Sequence, residues 1–451
     1  MPTVIGIIFF VLAASVFFQE DDKLFSLLIV SAIFPASSIV DLSDAGIEPY
    51  FLVGALFVLQ RIYRAMVGTK ADTSFRGKRW LILFAGIAIL SAFTLPFIFA
   101  GIPVYEPHIG IDAGLFLNPP LQFAHANISH SVSVLLGVLV VFGASQNFKG
   151  PAFSEKAYRF AFYFLAGVVL VQFLCFALGI SYPYDLLQNN AGVKLQTADT
   201  GDFSSRFPGT FTESSGAGAV LAAFTAGFLA EKIKYGKSII PALLGLFTII
   251  LVRSTGSIVA IGLAIVLLVI FHPIYRFPYH IDKVRLRRVA LLIAIALFVL
   301  VVVLFSPLRD SVMDLTVNKQ EGGSFFNRTA SDLYALTLTV QTYGIGVGMG
   351  SNRPASLIPS LLSTVGVLGL VSYLMAYFKL LSNAVPNHRE LRWAGLVLLI
   401  GLAAAIPDYD GPWIWVFLAF VVRMSHVAVT SPQEMVSIPS VGQLPQPGSD
   451  C

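Results

Sequence analysis

The sequence predicts an all-α fold: a polytopic bundle of about 12–14 transmembrane helices with one large external loop. Three observations point there. Of 451 residues, 56% are hydrophobic and only 12% charged, whereas a soluble domain carries about 25% charged residues. Mean hydropathy is +0.80. Apolar runs near spanning length recur from one end of the chain to the other, and the basic residues between them fall in alternate loops.

Taken in order, the spans read near 3–19, 24–40, 46–60, 80–102, 121–144, 160–180, 207–230, 238–252, 257–271, 289–305, 358–380, 393–407 and 412–428. The first lacks a basic leader and a small-residue cleavage site, so it reads as a retained span. Runs 238–252 and 257–271 are short and tightly joined, which predicts a helical hairpin. Arg61, Arg64, Lys70, Arg76, Lys78 and Arg79 share a loop with one acid, Asp72. Lys232, Lys234 and Lys237, the basic segment 272–288, and Arg389 with Arg392 fall on the same side. The positive-inside rule makes that side cytoplasmic. Loop 103–120, segment 181–206, loop 307–357 and the Asp408/Asp410 turn then face outward, as does the N-terminus. Residues 1–429 form the membrane domain. The tail 430–451, rich in Ser, Pro, Gln and Gly, reads as a disordered cytoplasmic extension.

Several function classes are excluded. Cys175 and Cys451 are too few for a disulfide framework or a cysteine metal site, and Cys451 ends no prenylation motif. There is no phosphate-binding P-loop, no HExxH and no GxSxG. No cofactor is called for. Repeats of solenoid period are missing, as are the matched broken helices of many secondary transporters.

The chain is organised around Arg206-Phe-Pro-Gly-Thr-Phe-Thr-Glu-Ser-Ser-Gly-Ala-Gly218, where a polar segment opens an apolar one. One reading is a helix start, with Pro208 in the first turn and Thr or Ser capping backbone donors. That reading leaves Arg206 and Glu213 unexplained together. A carboxylate one turn into a span costs about 2 kcal/mol or more unless it is paired or wet. Other polar groups gather at the same outer ends. Arg253 lies in the hairpin turn, Arg328 precedes an apolar stretch, Leu333 to Val340, that reads as an interfacial helix, and Arg309 and Arg353 flank them. Each arginine alone is compatible with snorkelling or a lipid contact. Grouped on one face, they suit an anionic head group, since guanidinium forks hold phosphate oxygens bidentately. His125 and His130 begin another outer span. Residues five apart lie about 140° around a helix, so the two do not share a face and a two-histidine metal site is disfavoured. Asn127-Ile-Ser129 matches a glycosylation sequon by accident of its place at a span entry. Gly344-Ile-Gly-Val-Gly-Met-Gly350 follows no strand of a βαβ unit, and reads as a tight turn exposing backbone at the membrane surface.

Arg206-x-x-Gly-Thr-Phe-x-Glu-x-Ser before a small-residue helix resembles a motif of the O-antigen polymerase and ligase superfamily. So does Gly344 to Arg353 ahead of Leu361-Leu-Ser-Thr-Val-Gly-Val-Leu-Gly369. The form with Phe-Thr-Glu-Ser-Ser and Gly-Ser-Asn-Arg is most similar to Wzy-like exopolysaccharide polymerases, over roughly 200–380. The resemblance implies a multi-pass protein of the bacterial inner membrane, with 307–357 as its large periplasmic loop. It implies a metal-independent glycosyltransferase that polymerises undecaprenyl-diphosphate-linked repeat units, with a chain-length regulator and a flippase as possible partners. In that family one arginine before the central span and one in the large loop serve the lipid diphosphate, which here are Arg206 and Arg328. Ligases carry a histidine in the large loop, but 307–357 has none. Glu213 is then the first candidate for the base, ahead of His125 and His130. Arg253, Ser214, Ser215, Asn352 and Arg353 complete the expected substrate site, without metal or nucleic acid. The alternatives are ligase-type transfer of finished glycan to an acceptor, and a glycan or lipid transporter. A transporter calls for polar groups near mid-membrane, whereas here they gather at the outer ends.

Overall fold

The computed structural model describes residues 2–19, 21–41, 46–67, 74–105, 118–146, 152–190, 206–271, 323–384 and 388–430. The span expected at 289–305, the basic segment 272–288, Arg309 with the first part of the large loop, and the tail beyond 430 lie outside the described residues.

The described chain is mostly helical. Its helices are α1 (Val4–Phe17), α2 (Asp21–Ser31), α3 (Pro49–Met66), α4 (Lys78–Ile98), α5 (His125–Ala144), α6 (Ala152–Ala177) and a single turn, α7 (Tyr184–Leu187). They continue as α8 (Ser214–Tyr235), α9 (Ile240–Val252), α10 (Thr255–Phe271), α11 (Gly323–Gln341), α12 (Leu357–Leu381), α13 (Glu390–Ala405) and α14 (Pro412–Thr430). Strands β1 (Val40–Asp41) and β2 (Gly46–Ile47) pair antiparallel between α2 and α3. Among the described residues α4, α5, α6, α8 and α12 are long and apolar enough to cross a bilayer. Helices α1, α9, α10 and α14 are apolar but shorter.

The connections sort into two ends. At one, Arg61 Nε donates to Gln146 Oε1 at 2.7 Å and Asn383 bonds Arg76 in both directions. This basic end also carries the buried ion pair of Asp22 and Arg423. The Asp22 carboxylate accepts the Phe153 and Ser154 amides at 2.8 and 3.2 Å, so α2 caps the start of α6 while holding α14. At the opposite end the Thr3 amide bonds Ile39 O, Ala36 bonds Thr210 O, and Asn190 bonds Ala36 O, each near 3.1 Å.

Helix α8 is the hub. It is buried along nearly its whole length, and α9, α10 and α13 pack on it. Its run Ser-Ser-Gly-Ala-Gly-Ala permits that, because small residues let helix backbones approach closely. A Cβ at Gly218 would lie 2.1 Å from Ser257 Oγ of α10.

The structure departs from the sequence reading in three places. The apolar run 24–40 is helical only to Ser31. Residues 32–39 are irregular: Ala32, Ile33, Phe34 and Ser37 donate to nearby carbonyls, while Ala36 bonds to Thr210 and Asn190 and Ile39 to Ile47. Helix α8 starts at Ser214 rather than near 207, so Glu213 is an extended N-cap residue (φ −130°, ψ 145°) and not one turn into a span. Residues 346–352 are buried instead of lying open at the membrane surface. Val347 and Gly348 donate to Ser363 O and Thr364 O at 2.7 and 2.9 Å, and Val367 donates back to Gly344 O. Helix α12 breaks at Gly366 (φ 72°) to admit this crossing. A Cβ at Gly346 would lie 2.6 Å from Thr364 O.

Candidate functional site

A cavity of about 400 Å³ opens at the end opposite the basic residues, between the start of α8, α5, and the turn joining α13 to α14. Its walls bring together Glu48, His130, Glu213, Ser215, Arg353, Asp408 and Asp410. Its floor is apolar, formed by Val220, Leu398, Leu402 and Trp413. Beneath the floor Trp413 packs on Phe224, which packs on Tyr158, with ring centroids 5.0 and 4.6 Å apart.

Each polar group arrives on a supported piece of backbone. Segment 207–213, which leads into α8, is held by side-chain amides. Gln172 bonds Gly209 in both directions at 2.8 and 2.9 Å, and Gln188 Nε2 donates to the Gly209 and Phe211 carbonyls. No side chain caps α8. The threonine–serine capping reading therefore fails: the Thr210 hydroxyl bonds Ile33 O instead, and Ser215 Oγ donates to Glu213 Oε2 at 3.0 Å. Glu213 is thus turned towards the cavity, in the electrostatic field of Arg353.

His130 lies on α5, and its Nδ1 is 2.7 Å from Asp410 Oδ2. A carboxylate accepts only from a proton-bearing nitrogen, so Nδ1 carries a proton and Nε2 is the ring atom left for another partner. Asp410 is fixed in turn by Ser133 Oγ, which donates to its backbone carbonyl at 2.9 Å. Arg353 follows the glycine crossing. Its Nε and Nη2 donate to the two oxygens of Asp408 at 3.1 and 2.9 Å, a bidentate fork. Burial pushes the Asp408 carboxyl up, but the Arg353 guanidinium, helped by His130, holds it below the usual carboxylate range. The pairing raises Arg353 in return, chiefly through Asp408.

Glu48 is the N-cap of α3 but makes no cap hydrogen bond, and Pro49 follows it. Its Oε2 is shielded from solvent and has no hydrogen-bond partner among the described residues. Burial, with Asp410 and Asp408 adding to it, pushes the Glu48 carboxyl up to about 8.

The residues expected from sequence divide accordingly. His130, Glu213, Ser215 and Arg353 meet in the cavity. Asn352 lies beside it, with its amide engaged in holding loops: Oδ1 accepts from Tyr105 N at 3.0 Å and Nδ2 donates to Ser363 Oγ at 2.9 Å. Ser214 is buried, and its hydroxyl has no partner among the described residues. Arg206, Arg253 and Arg328 are half-buried and His125 is exposed; none of the four lines the cavity. Arg328 lies on α11, one turn before Asp332, whose carboxylate accepts the amides of Ala355 and Ser356 just ahead of α12. Glu48, Asp408 and Asp410 are the site residues that sequence reasoning missed. The available signal was an acid directly beside a span-entering proline or glycine-proline pair.

No curated protein matches the chain. The sequence profile of the family described as WcaD colanic acid polymerase matches residues 78–358, from α4 to the start of α12, which includes His130, Arg206, Glu213, Arg328 and Arg353. With well over half its length matched, and with the two glycine-bearing motifs inside that match, the chain belongs to the WcaD colanic acid polymerase family, a Wzy-type polymerase family.

Proposed function

We propose that this protein joins undecaprenyl-diphosphate-linked repeat units into an exopolysaccharide at the periplasmic face of the bacterial inner membrane, and that the cavity is where sugar transfer occurs. Family membership supports a polysaccharide repeat-unit polymerase. The carrying observation is that His130, oriented by Asp410 at 2.7 Å, shares one cavity with the Arg353 guanidinium.

In the proposed step an acceptor hydroxyl attacks the anomeric carbon of the donor sugar. The new C–O bond forms as the bond to the lipid diphosphate breaks, and the diphosphate leaves with the electron pair. His130 Nε2 takes the hydroxyl proton, and Asp410 stabilises the resulting imidazolium. Arg353 meets the negative charge growing on the diphosphate with the guanidinium donors that Asp408 leaves free, in the plane that Asp408 fixes. Glu213 and Ser215 bind sugar hydroxyls beside it. The resemblance assigns Arg206 and Arg328 to the diphosphate as well. Because neither lines the cavity, we assign them the arriving lipid head group, ahead of the reacting position. The apolar floor under the site supports an enzyme working from one face over a transporter, which needs a polar route through the bundle.

The test is transfer by purified protein, using lipid-linked repeats extracted from a strain lacking the gene. That strain is expected to accumulate single repeats. His130→Gln and Asp410→Asn are expected to lower turnover by about 100-fold or more, the scale of a lost general base. Normal turnover in His130→Gln removes the cavity from the chemistry.

A further inference from the structure

Glu48 differs from the other acids of the cavity in having no counter-group. Asp408 is held by the Arg353 fork, Asp410 by His130, and Glu213 accepts from Ser215. Glu48 Oε2 has no partner among the described residues, although Glu48 is the N-cap residue of α3. Pro49 takes the first helical position, and the Phe51 amide that a capping side chain would accept from donates to the Glu48 carbonyl instead. The side chain therefore lines the cavity rather than serving α3.

We propose that Glu48 works as a neutral carboxylic acid that donates its proton in a hydrogen bond to a hydroxyl of the acceptor sugar, and so binds and orients the sugar whose neighbouring hydroxyl His130 deprotonates. This rests on the reading of the cavity as the transfer site. The charges around it support the neutral form. Asp408 and Asp410 face it from the turn between α13 and α14, Glu213 from the start of α8, and His130 from α5, while Arg353 is already paired. Tyr50, buried two residues along, adds a hydroxyl with no partner among the described residues. Four carboxyls share one cavity with one arginine and one histidine. Like charges so confined do not all ionise, and the acid with neither a cation nor a hydrogen-bond donor beside it keeps its proton. The pKa raised to about 8 agrees with that placement. A buried donor with no protein partner is also what rejects a sugar lacking the matching hydroxyl, because an unpaired donor costs more than an apolar mismatch.

The experiment measures turnover and KM for extracted lipid-linked repeats from about pH 6 to pH 9, with wild-type protein, Glu48→Gln, Glu48→Ala and, as reference, His130→Gln. The amide of Glu48→Gln keeps a donor and cannot ionise. It is expected to stay within about threefold of wild type at neutral pH and to abolish the fall in activity that wild type shows as pH rises through about 8. Glu48→Ala is expected to raise KM about tenfold with turnover less affected. If Glu48→Gln is inactive while folded, an ionised carboxylate is required and the proposal is overturned. A wild-type profile without an alkaline fall, or one that Glu48→Gln still shows, overturns it as well. Should His130→Gln remain active, the cavity reading itself fails. With His130→Gln inactive, a failure at Glu48 concerns Glu48 alone. Glu48→Gln is near-isosteric, so the comparison stands even where Glu48→Ala does not fold.

Discussion

Arg353 and Asp408, 55 positions apart, meet as a fork in which two guanidinium nitrogens each contact one carboxylate oxygen. Asp408 fixes the plane of the guanidinium, while donors it does not use stay available to an incoming phosphate. Arg353→Lys keeps the charge and loses the fork. Turnover is expected to fall about 100-fold with little change in KM, the scale of one lost donor to a developing anion. Asp408→Asn is expected to fall less, and the double variant Arg353→Lys/Asp408→Asn to be little worse than Arg353→Lys alone. Kinetics on purified variants with matched expression check both, and independent multiplication of the two losses counts against a shared role.

Arg206 and Arg328 do not line the cavity. If they receive the lipid diphosphate, Arg206→Ala and Arg328→Ala should act mainly on KM for the lipid-linked repeat, by about tenfold each, in contrast to Arg353. Because both serve one head group, the double variant is expected to lose less than the product of the single effects. Unchanged KM and turnover in Arg328→Ala reduces that residue to a membrane tether.

The Asp22–Arg423 pair belongs to stability. Both side chains are almost wholly buried, at 2% and 1% exposed, and Asp22 also caps α6. Asp22→Ala strands a buried guanidinium, so a loss of about 3 kcal/mol or more is expected, read as a lower melting temperature in detergent. Replacing both partners, as Asp22→Ala with Arg423→Leu, is expected to cost less than the two single changes together. A melt unchanged in Asp22→Ala contradicts the assignment.

Arginine supplies the positive charge in the proposed step, so chelation should matter little. Transfer after dialysis against EDTA is expected to stay within about twofold of the untreated rate, because preorganised donors rather than a Lewis acid face the diphosphate. Loss of transfer restored by a divalent ion contradicts that arrangement.

Much of the site's outer edge was legible in the sequence. Polar residues at a span entry are costly unless used, which singles out Glu213 and Ser215. The acids Glu48, Asp408 and Asp410 were not legible as a group. Beside an apolar run a single carboxylate looks like a loop marker, and only the approach of residues 280 positions apart turns Asp410 into the partner of His130. The end of α2 at Ser31 was hidden for a different reason. Hydropathy reports burial, and residues 32–39 are mostly buried in turns, with Ala36 and Ile39 bonded to other segments. The same cause hid the burial of 346–352: glycine spacing signals a turn, but it does not say that another main chain lies against it.

That main-chain crossing decides where the protein can evolve. The loop delivering Arg353 is registered by amide–carbonyl bonds to Ser363 and Thr364 and by contacts too close for a methyl group. Its geometry therefore owes little to which side chains surround it. A descendant adapting to a different sugar has freedom at Leu398 and Leu402 in the apolar floor and at Ile406, which also lines the cavity. The cationic arm keeps its aim while the receptacle is recut around it, so new substrates need not cost the chemistry.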